Sequence, residues 1–140
     1  MRLLIADDSE AFVQRLIRVL SEIDGIEIVG HARTGAEALQ AIGKLHPEVL
    51  ILDIGMPDGS GIDVLEGLKR GEFRPVVLVL TNFAFAQYRK RCLQLGARFF
   101  FDKSAEIAKV GEALTRLLER GSTSGESGAD GAEGKGACTG

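Results

Sequence analysis

Cysteines are scarce in this 140-residue sequence, and long apolar runs and a strong excess of either charge are missing. Two cysteines, Cys92 and Cys138, are too few for a disulfide framework or a metal cluster, so a reducing cytoplasm is the expected compartment. No apolar stretch approaches the roughly 20 residues of a membrane span, and no membrane association is expected. The opening MRLLIADDSE has too short an apolar segment, interrupted by acids, to act as a secretory signal. A formal net charge of −3 gives no hint of the basic face that nucleic acid would favour. What is present, 45% hydrophobic residues, suits one globular domain able to bury a sizeable core.

Composition changes at residue 121. The segment GSTSGESGADGAEGKGACTG contains seven glycines and no large apolar residue. It cannot bury enough surface to offset its ordering entropy, so residues 121–140 read as a Gly/Ser-rich disordered tail behind a domain over 1–120. The tail's GAEGKG is not a phosphate loop, because Ala129 stands where the first glycine belongs and Gly136 replaces the Ser/Thr. Cys138 reads as incidental.

Within the domain, apolar runs alternate with helical periodicity. The runs are LLIA (3–6), IEIVGHA (26–32), EVLILD (48–53), PVVLVLT (75–81) and ARFFF (97–101). Between and after them, apolar residues recur at i, i+3, i+4 and i+7: Val13, Leu16, Ile17, Leu20; Phe85, Tyr88, Cys92, Leu95; Ile107, Val110, Leu114, Leu117. Shorter stripes run through Ala38, Leu39, Ile42, Leu45 and through Ile62, Leu65, Leu68. Five strand–helix pairs predict an α/β domain with a doubly wound, five-stranded parallel sheet covered on both faces. LLIA and VVLVL, apolar at every position, fit central strands.

Ligands of open α/β sheets bind beyond the carboxyl ends of the strands. Those ends carry Asp7 and Asp8, Asp53, Thr81, and Asp102-Lys103, while the second strand ends on His31, read as a surface or packing residue. Carboxylates gathered on one edge repel, by about 4 kcal/mol for a pair about 4 Å apart at the effective dielectric of a protein surface. A divalent cation removes that penalty, and an all-oxygen, partly solvated set favours Mg²⁺ over zinc. Thr81 adds a hydroxyl donor and Lys103 an ammonium, so the set suits a phosphoryl group taken up by Asp53 as an acyl phosphate.

These residues resemble the receiver domain of two-component response regulators. The resemblance covers residues 2–119 and rests on Asp7-Asp8, LDIGMPDGSGIDVL (52–65), LVLTN (78–82) and GARFFFDKS (96–104). It implies the flavodoxin-like, CheY-like (βα)5 fold with strand order 2-1-3-4-5. It implies Mg²⁺ on Asp7, Asp8, Asp53 and the backbone carbonyl of Gly55. A sensor histidine kinase or phosphotransfer protein would phosphorylate Asp53, and Thr81 and Lys103 would bind the phosphoryl group. Their shift would reorganise the face formed by the fourth helix, fifth strand and fifth helix, toward an unknown downstream protein. Three positions depart from the commonest pattern: Phe100 replaces a switching tyrosine, Asn82 a small residue, and Ser104 the proline that follows the lysine, so the usual cis peptide is not expected.

An aspartate-nucleophile phosphohydrolase would use the same groups but needs an acid two residues after the nucleophile, where Gly55 stands. A flavin site would want a Ser/Thr/Gly-rich loop where DDSEAF stands. The segment after residue 120 is too short and polar for a helix-turn-helix, so the expectation is a stand-alone switch that does not bind DNA and is not itself an enzyme. Gln87, Arg89, Lys90 and Arg91 read as a solvated face or a docking site for an acidic partner, and Phe99 and Phe101 as core packing.

Overall fold

The computed structural model describes residues 1–57 and 60–127, with side chains described through residue 120. Strands and helices alternate: β1 (Arg2–Ala6), α1 (Glu10–Leu20), β2 (Glu27–Ala32), α2 (Gly35–Leu45), β3 (Val49–Leu52), α3 (Gly61–Arg70), β4 (Val76–Thr81), α4 (Ala86–Gln94), β5 (Phe99–Asp102) and α5 (Ile107–Ser127). The strands form one parallel sheet in the order β2-β1-β3-β4-β5, the topology the resemblance implies.

Strand alternation divides the core in two. Leu4, Ala6, Leu50, Leu52, Val77 and Val79 pack with residues of α2, α3 and α4, including Ile42, Leu65 and Cys92. Their neighbours Leu3, Ile5, Val49, Ile51, Leu78 and Leu80 pack with α1 and α5 through Leu16, Leu20, Val110 and Leu114. Successive side chains of a strand point to opposite faces, so a strand covered on both sides must be apolar throughout. All four residues of β3 are accordingly buried. On β5, Phe100 joins the α2–α4 side while Phe99 and Phe101 pack on the α1/α5 side.

Caps seat three helix starts at the carboxyl edge of the sheet. Ser9 accepts from the Phe12 amide, Thr34 from the Glu37 amide, and Ser60 forms a capping box with Asp63. Register then aligns the strand ends: Ala6 lies opposite Leu52 and Thr81 opposite Asp102. The Asp7 amide continues the pairing to the Ala32 carbonyl at 2.9 Å, the Asp53 amide to Ala6 at 3.0 Å, and the Lys103 amide to Thr81 at 2.8 Å. The first residue past β1, β3 and β5 is thus held by a backbone bond.

One expectation needs correction. The stripe Phe85, Tyr88, Cys92, Leu95 does not form a buried face: Cys92 is buried, but Phe85 is 55% and Tyr88 36% exposed. Helical spacing places these residues on one side, but α4 begins with Phe85 at its N-cap and no side-chain cap bond, and only its C-terminal half reaches the sheet. Burial among apolar neighbours pushes the Cys92 thiol up to about 11. At the other end, α5 continues through Ser127, past the boundary expected at Arg120. Once several turns are packed, each added residue propagates the helix without a new nucleus. The rest of the expected tail, residues 128–140 with Cys138, lies outside the described residues.

Gly61 starts α3 directly against the end of β3. A Cβ there would stand 2.6 Å from both the Asp53 carbonyl oxygen and the Ile54 Cα, backbone atoms that cannot swing aside. Gly43, exposed on α2, has nothing within 4 Å of the same position. Gly61→Ala is expected to destabilise the domain by about 1–3 kcal/mol through overpacking. Gly43→Ala is expected to stabilise it by up to about 1 kcal/mol through helix propensity. Urea unfolding midpoints of the two variants, moving in opposite directions, are the check.

Candidate functional site

Asp7, Asp8 and Asp53 meet just beyond the ends of β1 and β3. One carboxylate oxygen from each lies within 4.8 Å of the other two. Asp7 and Asp53 are buried, at 3% and 6% exposure, whereas Asp8 is open to solvent. Each buried carboxylate is oriented locally: Asp7 Oδ1 accepts from the Ser9 amide at 2.8 Å, and Asp53 Oδ1 from the Gly55 amide at 3.1 Å. The remaining oxygens share one cation. Lys103 Nζ stands 2.8 Å from Asp7 Oδ2 and 3.3 Å from Asp53 Oδ2, and lies 4.5 Å above the Phe12 ring.

The electrostatics follow from burial and from this sharing. Burial raises the Asp7 carboxyl above its usual range, outweighing the Lys103 and Ser9 hydrogen bonds, and the nearby Asp53 charge pushes the same way. Burial works to lower the Lys103 ammonium, but its hydrogen bond to Asp7 and the charges of Asp53 and Asp7 together carry it above its ordinary value. Both rise for different reasons: burial dominates at Asp7, which also faces a second anion, whereas the lysine faces two carboxylates.

Lys103 balances part of a set of three carboxylates, leaving it net negative and all-oxygen. That donor chemistry fits a hard divalent cation, for which exposed Asp8 provides a wet side. Thr81 is fully buried at the end of β4, the strand next to β3 in the sheet, and its Oγ1 accepts from the Phe83 amide at 3.1 Å. The hydroxyl proton remains available for donation. Asn82 follows at an exposed position. Phe100 belongs to the buried core, with the Arg89 guanidinium 5.6 Å from its ring centre and Arg89 Nη1 donating to its carbonyl at 3.2 Å.

Three neighbours escaped the sequence reading. His31 Nε2 lies 2.8 Å from the Asp7 carbonyl oxygen, Phe12 lies beneath the lysine, and the Phe83 ring covers Gly55. A Cβ on residue 55 would come within 2.5 Å of that ring. Only His31, at a strand end, offered a signal. Aromatic residues at Phe12 and Phe83 look like any others until the elements that carry them are folded together.

The family profile for the response regulator receiver domain matches residues 3–115. A Pseudomonas aeruginosa protein named as a transcriptional regulator is 43% identical over 117 residues, covering 84% of this chain and 56% of its own length. A protein-glutamate methylesterase/protein-glutamine glutaminase of Treponema denticola is 33% identical, over 84% of this chain and 34% of its own. Thus the chain spans about half or less of the length of these relatives. Among solved structures, the CheX–CheY–BeF3–Mg²⁺ complex from Borrelia burgdorferi matches with a TM-score of 0.77 and 28% identity, over 84% of this chain and 89% of that one.

Mg²⁺ that binds only the folded domain is expected to add about 2.7 kcal/mol of stability at 100 times its dissociation constant. Asp8→Ala, exposed and so harmless to folding, should reduce this gain, read as the Mg²⁺-dependent shift of the unfolding midpoint. A second expectation concerns pH without metal. The Lys103 ammonium is raised from 10.5, so its contribution to stability is complete below pH 10.5 and is lost as pH climbs through the folded value. The stability difference between wild type and Lys103→Met should therefore shrink with rising pH in that range, as measured by denaturant unfolding.

Proposed function

The chain belongs to the response regulator receiver domain family of two-component signalling, and on that premise we propose that it is a phosphorylation-operated switch whose acceptor is Asp53. One observation carries the assignment: a buried carboxylate at the end of β3 shares a lysine with Asp7 and meets Asp8 within 4.8 Å.

An oxygen of the Asp53 carboxylate attacks the phosphorus of a phosphohistidine on a sensor kinase or phosphotransfer protein. The P–O bond to Asp53 forms as the P–N bond breaks, and the bonding electrons leave with the imidazole. Asp7, Asp8, Asp53 and the Gly55 carbonyl are the groups that would hold Mg²⁺. When bound, that ion neutralises charge on the transferring phosphoryl oxygens. The Gly55 amide keeps Asp53 Oδ1 oriented. The Lys103 ammonium, paired with carboxylates before transfer, turns to a phosphoryl oxygen afterwards, and the Thr81 hydroxyl donates to another while still accepting from Phe83. Asn82, exposed beside Thr81, flanks the approach.

The response is read at α4, β5 and α5. Thr81 and Lys103 are joined by a backbone bond across β4 and β5, so a shift of either moves both strand ends. Phe100 has no hydroxyl with which to switch partners, and Arg89 ties its ring and carbonyl to α4 instead. The proposed place of action is the cytoplasm, and the proposed output is contact with another protein surface, on a separate partner or on the same polypeptide. The methylesterase and transcriptional activities belong to those longer relatives. A phosphohydrolase reading is disfavoured by Gly55, which has no acid to protonate a leaving group and is covered by Phe83.

Incubation with Mg²⁺ and acetyl phosphate is expected to add one phosphoryl group to the intact mass, and Asp53→Asn or EDTA to abolish the adduct. A wild-type chain that stays unmodified with acetyl phosphate and with phosphorylated kinases would overturn the proposal.

A further inference from the structure

The three carboxylates of the site are not held alike. Asp7 is fixed by Lys103 and the Ser9 amide, and Asp53 by Lys103 and the Gly55 amide. The Asp8 side chain lies in solvent and has no hydrogen bond or ion pair among the described residues, yet one of its oxygens still comes within 4.8 Å of the other two. Its placement therefore comes from its backbone, and above all from the peptide that joins it to Asp7. The Asp7 amide still donates to the Ala32 carbonyl at 2.9 Å, but the Asp8 amide has no backbone partner among the described residues. Strand pairing ends at this point, just where the second acid has to be aimed.

One side chain takes over. His31 Nε2 lies 2.8 Å from the Asp7 carbonyl oxygen, which belongs to the Asp7–Asp8 peptide. A carbonyl oxygen only accepts, so Nε2 carries the proton and donates it, which sets the tautomer of the neutral ring. The sheet supplies reach and direction. His31 lies opposite Ile5 in register, two residues before Asp7, and Ile5 packs on the α1/α5 side. Ala32 packs on the other side, so alternation turns the half-buried His31 toward α1, the face that carries Phe12 and Lys103. The peptide is a rigid plane, and only the bonds on either side of it rotate. A hydrogen bond on its oxygen restricts both rotations, and those rotations decide where the Asp8 Cβ points.

We propose that His31 is a positioning residue for the cation site: by fixing the Asp7–Asp8 peptide it holds the Asp8 carboxylate where a divalent ion shared with Asp7 and Asp53 needs it. The inference rests on the proposed receiver chemistry and adds to the site a residue from β2, a strand that supplies none of Asp7, Asp8, Asp53, Thr81 and Lys103. Without the bond, the ion itself would have to order the Asp8 carboxylate, and that ordering is subtracted from its affinity.

The test is a Mg²⁺ titration of the full chain followed through its backbone amide resonances by NMR, with urea unfolding of the same variants measured without metal. His31→Ala is expected to weaken Mg²⁺ binding by about tenfold, as for loss of a group that orients a metal ligand. His31→Leu fills the space without a donor and should lose as much. His31→Gln keeps an N–H donor at similar reach and should stay within about twofold of the wild type. Asp8→Ala removes the carboxylate that His31 serves, so adding His31→Ala to it should cause no further loss, a coupling that independent sites do not show. Three results would each overturn the proposal and leave the receiver reading standing. They are Mg²⁺ affinity unchanged in His31→Leu whatever its unfolding midpoint, a loss in His31→Gln as large as in His31→Leu, and losses that add in the double variant. A wild-type chain whose resonances do not respond to Mg²⁺ would overturn the proposal and the cation site together.

Discussion

Lys103 holds the carboxyl end of this sheet together. Two buried aspartates facing each other across β1 and β3 would repel by several kcal/mol, and a single ammonium 2.8 Å from one and 3.3 Å from the other offsets that repulsion. Several features elsewhere follow from the need to put that ammonium there. β5 must lie beside β4 in register, so that Lys103 leaves the sheet level with Thr81. The α1 helix must start at Ser9, so that Phe12 lies beneath the lysine stem. The neutralisation is partial, so the group of three carboxylates keeps a net negative charge.

Orientation of the acids is local and therefore cheap to maintain. Each buried carboxylate spends one oxygen on a backbone amide two residues further on and presents the other inward. The close start of α3 on the Asp53 carbonyl and the caps at Ser9 and Ser60 stiffen the same loops. In the proposed transfer, preorganisation of this kind would cost nothing at the moment of reaction, the general way in which position and charge accelerate phosphoryl chemistry.

The α4 helix is the contrast. It lacks a side-chain N-cap bond, buries Cys92 alone among its residues, and leaves its aromatic start in solvent. Few buried contacts mean a low free energy for local displacement. Its ties to the rest of the domain are side-chain contacts, Arg89 on Phe100 and Arg91 on Glu66. An element held this way can respond to small shifts of β4 and β5 without unfolding the sheet, whose strands are locked by two-sided burial.

The amino-acid order alone determined much of this. Continuous apolar runs bounded by Ser, Thr and Asp dictate buried parallel strands ending on chemistry-bearing residues, and Asp7, Asp8, Asp53, Thr81 and Lys103 were legible because strand ends in such sheets share one edge. Ser9, Thr34 and Ser60, the caps of three helix starts, are also of the residue types that favour that position. Only the tertiary structure decided which oxygens Lys103 shares, that His31 reaches the Asp7 carbonyl, and that Phe83 covers Gly55. It also decided that the start of the α4 stripe, Phe85 and Tyr88, faces water, because periodicity states which residues share a face and not whether another element arrives to cover it. Contacts between residues fifty positions apart depend on how the strands are ordered and how far each helix reaches, and no local pattern encodes those distances.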